Sequence, residues 1–260
     1  VVRALRLEYA HEARSPEGDT VKADVLALCY HRVGDDRHEL SLTPSQLERQ
    51  IRSLIRRGYV AIRASEFATS TAPRRLIVTF DDGHRSVLDV ALAVMDRLDA
   101  VATVFVASGH AQDSDRTDAS TLSWPELDAL ARHGWEIGSH TVTHPDLTML
   151  SDGALSDELR DSKSRIETEL RRPCTSLAYP FGVATAREAA CALDAGYAVA
   201  FTAGRRYEPA DVYRFPRVGV LHSDGYATFR VKTLPSTRRA RRTALGGVLA
   251  GAVSYARART

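Results

Sequence analysis

Short apolar runs recur along the chain, each followed by a longer stretch in which apolar residues return every three or four positions. The runs at residues 25–30, 76–80, 102–107, 135–138, 176–179, 197–202 and 217–221 read as strands. Between them, residues 44–57 read as a helix with Leu47, Ile51, Leu54 and Ile55 on one face and Gly58 at its end. Further helices are predicted over 86–98, 152–171 and 184–193, and Ser123 reads as a cap with Pro125 and Glu126 in the first turn. Strands alternating with helices demand a parallel sheet covered by helices. The number of units predicts an α/β fold, a single distorted (β/α) barrel with about seven parallel strands, over a doubly wound open sheet. In either architecture the chemistry gathers where strands end.

The 260 residues are expected to divide into a polar N-terminal extension (1–22), a main α/β domain (23–228) and a basic C-terminal tail (229–260), partly helical. No Asp or Glu follows Asp224, while eight Arg or Lys lie from Arg230 onward. This tail is a candidate for peripheral contact with an anionic membrane surface, with Leu245, Val248, Leu249 and Val253 as an apolar stripe. Its only aromatics, Phe229 and Tyr255, are too few to interleave with the basic residues, so nucleic-acid binding is not expected. Cys29, Cys174 and Cys191 are too few and too scattered for a disulfide framework or a zinc ribbon, and read as buried or incidental thiols. No signal peptide or membrane span is visible, so a cytoplasmic location is expected as written, and a secreted one if an N-terminal segment is missing.

Four clusters at strand ends carry chemistry. Thr79-Phe80-Asp81-Asp82-Gly83 places two adjacent carboxylates at a turn. One can hold a cation while the other accepts a proton, although such a sequence also makes an ordinary polar turn. Ser139-His140-Thr141-Val142-Thr143-His144 sets two imidazoles four residues apart. On one helical turn they would face the same way, and with Asp82 they would form a His₂Asp set that leaves metal positions open. Tyr179-Pro180-Phe181-Gly182 reads as a rigid aromatic wall of the kind on which sugar rings stack, or as an anchored loop. His31, in Tyr30-His31-Arg32-Val33, is either a structural histidine or a proton donor near neutral pH.

Taken in order, Thr-Phe-Asp-Asp-Gly, Ser-His-Thr-x-x-His and Ala-Tyr-Pro-Phe-Gly resemble the polysaccharide deacetylase family, the NodB-like carbohydrate esterases of family 4. The leading Tyr-His-Arg-Val is similar to the circularly permuted poly-N-acetylglucosamine deacetylase branch, in which the acid histidine comes from the first strand. The resemblance implies Asp81 as general base, Asp82, His140 and His144 as metal ligands, His31 as general acid and the Phe181 backbone N–H as an oxyanion donor. It also implies a sugar-contacting surface at Tyr179, Pro180, Phe181 and Gly182, and one divalent ion, zinc ahead of cobalt, nickel, iron or manganese. Two departures stand out. Ala178 occupies the place of an arginine that tethers the base in many relatives, and Arg217 is the candidate to replace it. Leu221-His222 resembles the acid motif of unpermuted members, which makes His222 a rival to His31.

The expected activity is therefore metal-dependent hydrolysis of an N-acetyl group on an N-acetylhexosamine-containing saccharide. The partner is an amino-sugar or polysaccharide substrate. Alternatives are O-deacetylation, amide hydrolysis of a small non-polysaccharide molecule, or an inactive carbohydrate-binding scaffold.

Overall fold

The computed structural model describes residues 24–111, 120–203 and 211–241. The expectations for the N-terminal extension and for the stripe Leu245 to Val253 lie outside these residues. The first strand, β1 (Asp24–Tyr30), is buried from Leu26 onward. It is followed by α1 (Pro44–Ile55), β2 (Val60–Ile62) and β3 (Arg74–Phe80). Then come α2 (Leu92–Asp96), β4 (Thr103–Val106), α3 (Trp124–Arg132), β5 (Glu136–Ser139) and α4 (Asp152–Leu170). The remainder is β6 (Ser176–Ala178), α5 (Ala186–Asp194), β7 (Val199–Thr202), β8 (Phe215–Pro216), β9 (Val218–Gly219), α6 (Tyr226–Lys232) and α7 (Pro235–Arg241).

All pairings in the main sheet are parallel, and the chain of neighbours runs β8-β7-β6-β5-β4-β3-β1-β9. The two ends of that path are one covalent segment. Phe215–Pro216 pairs with β7, and two residues later Val218–Gly219 pairs with β1. Residues 215–219 therefore act as one stave that closes the ring, with Arg217 at the point where it changes partner. Backbone bonds from Arg217 N–H to Thr202 O (2.8 Å) and from Val220 N–H to Cys29 O (3.0 Å) hold its two halves. β2 is a wedge on the lower half of β3, whose upper half pairs with β4. Counted as staves, β1, β3, β4, β5, β6, β7 and the closing segment make a ring of seven parallel strands.

Strand alternation divides the core in two. Leu26, Leu28, Leu76, Val78 and Leu177 face the helices. Ala27, Ile77, Phe105, Ala178, Phe201 and Phe215 form a second cluster inside the barrel. Small residues on β1 and β6 leave room there for the rings of Phe105, Phe201 and Phe215, which pack at 5.8 Å and 6.1 Å between centroids. Two residues further along the same inward faces come Cys29, Thr79 and Arg217, and then His31 and Asp81. The period of the strand delivers them to one end of the barrel.

Local structure departs from the sequence reading in three places. Residues 86–98 are not one α-helix: a π-helical turn (Val87–Ala91) precedes the short α2. The His140–His144 segment is no helical turn either but an irregular loop after β5. The domain boundary placed after residue 228 cuts α6, whose Phe229 is fully buried in the core. Arg238 of α7 donates to Val25 O and pairs with Asp24, so the described part of the basic tail is built onto β1.

Candidate active site

Asp81 follows β3, its N–H donating to Tyr30 O at 2.9 Å. Arg217 crosses from the closing stave and meets it as a fork: Nη1 lies 2.6 Å from Oδ1 and Nη2 2.7 Å from Oδ2. Nη1 also donates to Thr79 Oγ1 at 2.8 Å, and Thr79 in turn donates to Leu28 O at 2.7 Å. Both charges are withdrawn from water, Asp81 at 3% exposure and Arg217 at 1%. Burial alone would raise the Asp81 carboxyl. The charge of Arg217 and its hydrogen bonds outweigh it and hold Asp81 well below the usual carboxylate range.

Asp82 takes the opposite course. Its backbone is left-handed (φ 68°), which turns its side chain out of the Asp81 pocket, and that side chain is 47% exposed. Gly83 continues the turn at φ 62°, and a Cβ there would lie 3.0 Å from Val106 Cγ1. Asp82 Oδ1 then stands 3.6 Å from Nε2 of His140 and 3.6 Å from Nε2 of His144. The His140 Nδ1–H donates to Ala178 O at 2.7 Å, which leaves Nε2 as the lone-pair nitrogen aimed at Asp82. Burial lowers the His140 pKa, His144 adds to the fall, and Asp81 and Asp82 oppose it. One carboxylate oxygen and two imidazole nitrogens within 4.8 Å of one another repel unless a cation or proton lies between them. The donor set thus fits a divalent ion with positions left open.

The histidines converge because the loop after β5 is bent twice, with Thr141 at φ 69° and His144 at φ 60°. Neither residue is glycine, so the backbone is strained and needs outside support. Glu158 of α4 supplies it. Its carboxylate accepts Val142 N–H at 2.8 Å, Thr143 N–H at 3.0 Å and the Thr143 hydroxyl at 2.7 Å. Ser162, one turn on, donates to Thr141 O at 2.9 Å and shares a hydrogen bond with Ser139. The two imidazoles end edge to face, 4.7 Å between centroids.

Of the segment after β6, Phe181 is the residue that reaches the site. Its ring packs edge to face on His144 at 4.9 Å, and its backbone is left-handed (φ 59°). Tyr179 cannot serve as a stacking wall in this conformation: it is fully buried and its hydroxyl donates to Tyr213 O. Pro180 is also buried, and Gly182 is there for clearance, since a Cβ would come 2.4 Å from Ala203 N.

The two rival histidines are separated by their surroundings. A ring nitrogen of His31 lies within 4.8 Å of Asp81 and of Cys29 Sγ, and its buried Nδ1 has no hydrogen-bond partner among the described residues. His222 is fastened to the neighbouring loop, its N–H donating to Glu39 O at 2.7 Å and its Nδ1 to Ser41 O at 3.0 Å. Cys29, Thr79, Glu158 and Ser162 were not singled out as site residues by the sequence. Strand periodicity offered a signal for Cys29 and Thr79, which precede His31 and Asp81 by two. Nothing local marked Glu158 or Ser162 on a long polar helix.

Comparison with known proteins shows the family and the fold. Residues 68–200 match the family model for polysaccharide deacetylase. The poly-beta-1,6-N-acetyl-D-glucosamine N-deacetylase of Staphylococcus epidermidis is 25% identical over 241 residues, covering 80% of this chain and 82% of that protein. The fold is shared with the Streptococcus pyogenes deacetylase PplD in complex with acetate (TM-score 0.72, 21% identity, 82% of this chain and 100% of that one). It is shared also with a polysaccharide deacetylase from Bacillus cereus (TM-score 0.69, 24% identity, 80% of this chain and 68% of that one).

Proposed function

The chain belongs to the polysaccharide deacetylase family, and on that premise we propose that it is a metal-dependent hydrolase that removes N-acetyl groups from an N-acetylglucosamine-containing saccharide. The observation that carries this reading is the meeting of Asp82 Oδ1 with the Nε2 atoms of His140 and His144, each at 3.6 Å, beside a second carboxylate kept ionised. Asp82, His140 and His144 would hold the ion, zinc first. The chemistry it supplies when bound is Lewis acidity towards an acyl carbonyl and towards water.

The remaining work falls to the chain's own residues. Asp81, ionised at neutral pH under the Arg217 charge, takes a proton from the water that attacks the acetyl carbonyl. The Phe181 N–H helps to hold the carbonyl oxygen as it gains charge, a contact worth roughly 3–4 kcal/mol in other hydrolases. His31 delivers a proton to the nitrogen as the C–N bond breaks, so that acetate and a neutral amine leave. His31 is preferred to His222 because it lies with Asp81 and Cys29 within 4.8 Å, whereas the ring of His222 is tied to Ser41. The sugar unit would rest against the Phe181 turn. The likeness to a poly-β-1,6-N-acetylglucosamine deacetylase makes that polymer and its oligomers the first substrates to try.

The test is acetate release from β-1,6-linked N-acetylglucosamine oligomers, using metal-stripped protein with each divalent ion restored in turn. Release that depends on metal and is lost in Asp81→Asn supports the reading. Release from O-acetyl but not N-acetyl substrates redirects it to an esterase. No release from any acetylated saccharide, with metal bound, rejects it in favour of a binding scaffold.

A further inference from the structure

Two inward-facing residues, one near the end of β1 and one just beyond it, lie at the level of the site, and only His31 has a part in the chemistry above. The other, Cys29, sits opposite Thr79 in the β1–β3 register and is 2% exposed. Its Sγ lies 3.3 Å from Asp81 Oδ2, with the thiol as donor. Among the described residues, the two arms of Arg217 also donate to this carboxylate, one on each oxygen. Such a fork defines a plane but reaches the carboxylate from one side. A donor on the adjoining strand adds a third point of attachment.

Burial pushes the Cys29 thiol well up, with Asp81 adding to the rise and Arg217 opposing it. The group therefore keeps its proton at neutral pH and donates to Asp81 instead of repelling it. Cys29 Sγ, a His31 nitrogen and an Asp81 oxygen also fall within 4.8 Å of one another, a set that elsewhere would suit a thiophilic cation. Here Arg217 already holds both Asp81 oxygens and brings a positive charge, so the cluster is a hydrogen-bonded one.

We propose that Cys29 is a positioning residue for the hydrolysis: by donating its S–H to Oδ2 it holds the Asp81 carboxylate in the rotation from which an oxygen can take the proton of the attacking water. This rests on the assignment of Asp81 as the base. A thiol is a weak donor and Arg217 a strong one, so the effect is an increment on an orientation already largely set. Replacing Cys29 by Val, of similar size and without a donor, should lower kcat roughly 3- to 10-fold at unchanged KM. Cys29→Ser, which restores a donor, should recover most of that loss.

The experiment pairs kinetics with infrared spectroscopy. Acetate release from N-acetylglucosamine oligomers is measured for wild type, Cys29→Val, Cys29→Ala and Cys29→Ser, alongside Tm and the Kd for zinc. The S–H stretch of Cys29, assigned by its disappearance in Cys29→Val, should lie below that of Cys174, whose contact with Ser176 O is 4.0 Å long. It should rise in Asp81→Asn. A fall in kcat alone, rescued by Ser, together with the lowered band supports the proposal. Unchanged kcat in both Val and Ala variants, loss that Ser does not rescue, or a band that ignores Asp81→Asn overturns it. If wild type releases no acetate from any saccharide, the hydrolase reading fails, and the band alone decides whether the thiol holds Asp81.

Discussion

Asp81 and Arg217 are a buried ion pair whose partners lie 136 residues apart in sequence. In such pairs the attraction roughly offsets the cost of leaving water, but removing one member strands the other. Arg217→Ala should therefore destabilise the fold by about 3–5 kcal/mol in denaturant unfolding and lower kcat as Asp81 loses its orientation. Arg217→Lys should recover little of kcat, because an ammonium cannot reproduce a fork on two oxygens. Full turnover in Arg217→Ala would falsify the tethering role. At the same scale, His31→Ala should cost about 10²–10⁴-fold in kcat as loss of a general acid, while His222→Ala, removing a loop contact, should act chiefly on stability. The opposite pattern in acetate-release kinetics would transfer the acid role to His222.

The elements that matter most are the loop after β5 and the helix behind it. Two left-handed non-glycine residues in one five-residue segment are held by a carboxylate from α4. Glu158→Ala should weaken zinc binding about 10- to 100-fold, as outer-shell changes at metal sites do, read by calorimetric titration with Asp82, His140 and His144 all intact. An unchanged affinity would mean that the loop holds its bend unaided. A second element-scale prediction concerns α7. Burial raises the Asp24 carboxyl, but the hydrogen bonds from Tyr59 and Arg238, with the Arg238 charge, bring it below its usual value. A carboxyl lowered in the folded state binds fewer protons there than when unfolded. Its contribution is present above the unfolded value of about 3.8 and is lost as pH falls through the folded value. Asp24→Asn should therefore flatten the acid side of the stability–pH curve and leave stability near neutral pH lower. Matching curves for variant and wild type would show that the Arg238 clamp contributes nothing.

At the scale of the whole molecule, the candidate ion ligands sit on different staves, Asp82 beyond β3 and both histidines beyond β5. A ligand that binds only the folded ring stabilises it by mass action, about 2.7 kcal/mol at one hundred times its Kd. Zinc should raise Tm and a chelator reverse the rise, and neither should shift Tm in His144→Ala. A zinc-induced rise that survives in that variant would place the ion elsewhere.

The parallel barrel was legible in the sequence because strand and helix periods differ and each run is long enough to display its own. The clusters at strand ends were legible for the same reason, since a parallel sheet must gather its C-terminal ends at one edge. Periodicity is blind to irregular backbone. It therefore turned the His140–His144 loop into a helical turn and carried a helix through the π turn at Val87–Ala91, and residue type alone did not tell that Tyr179 is buried.

Thus the sequence by itself determined the fold class, the strand ends that carry chemistry and the residue types available there, because these depend on local patterns of apolar and polar side chains. The family resemblance suggested which of those residues belong together, but only the tertiary structure decided how they meet. It closed the ring through Arg217, bringing that side chain to Asp81. It set Cys29 and His31 on the same inward face, and turned Asp82 away to join the two histidines. Such meetings depend on how seven staves close on one another and on backbone bends stabilised from distant helices, and neither leaves a mark in the sequence near the residues concerned.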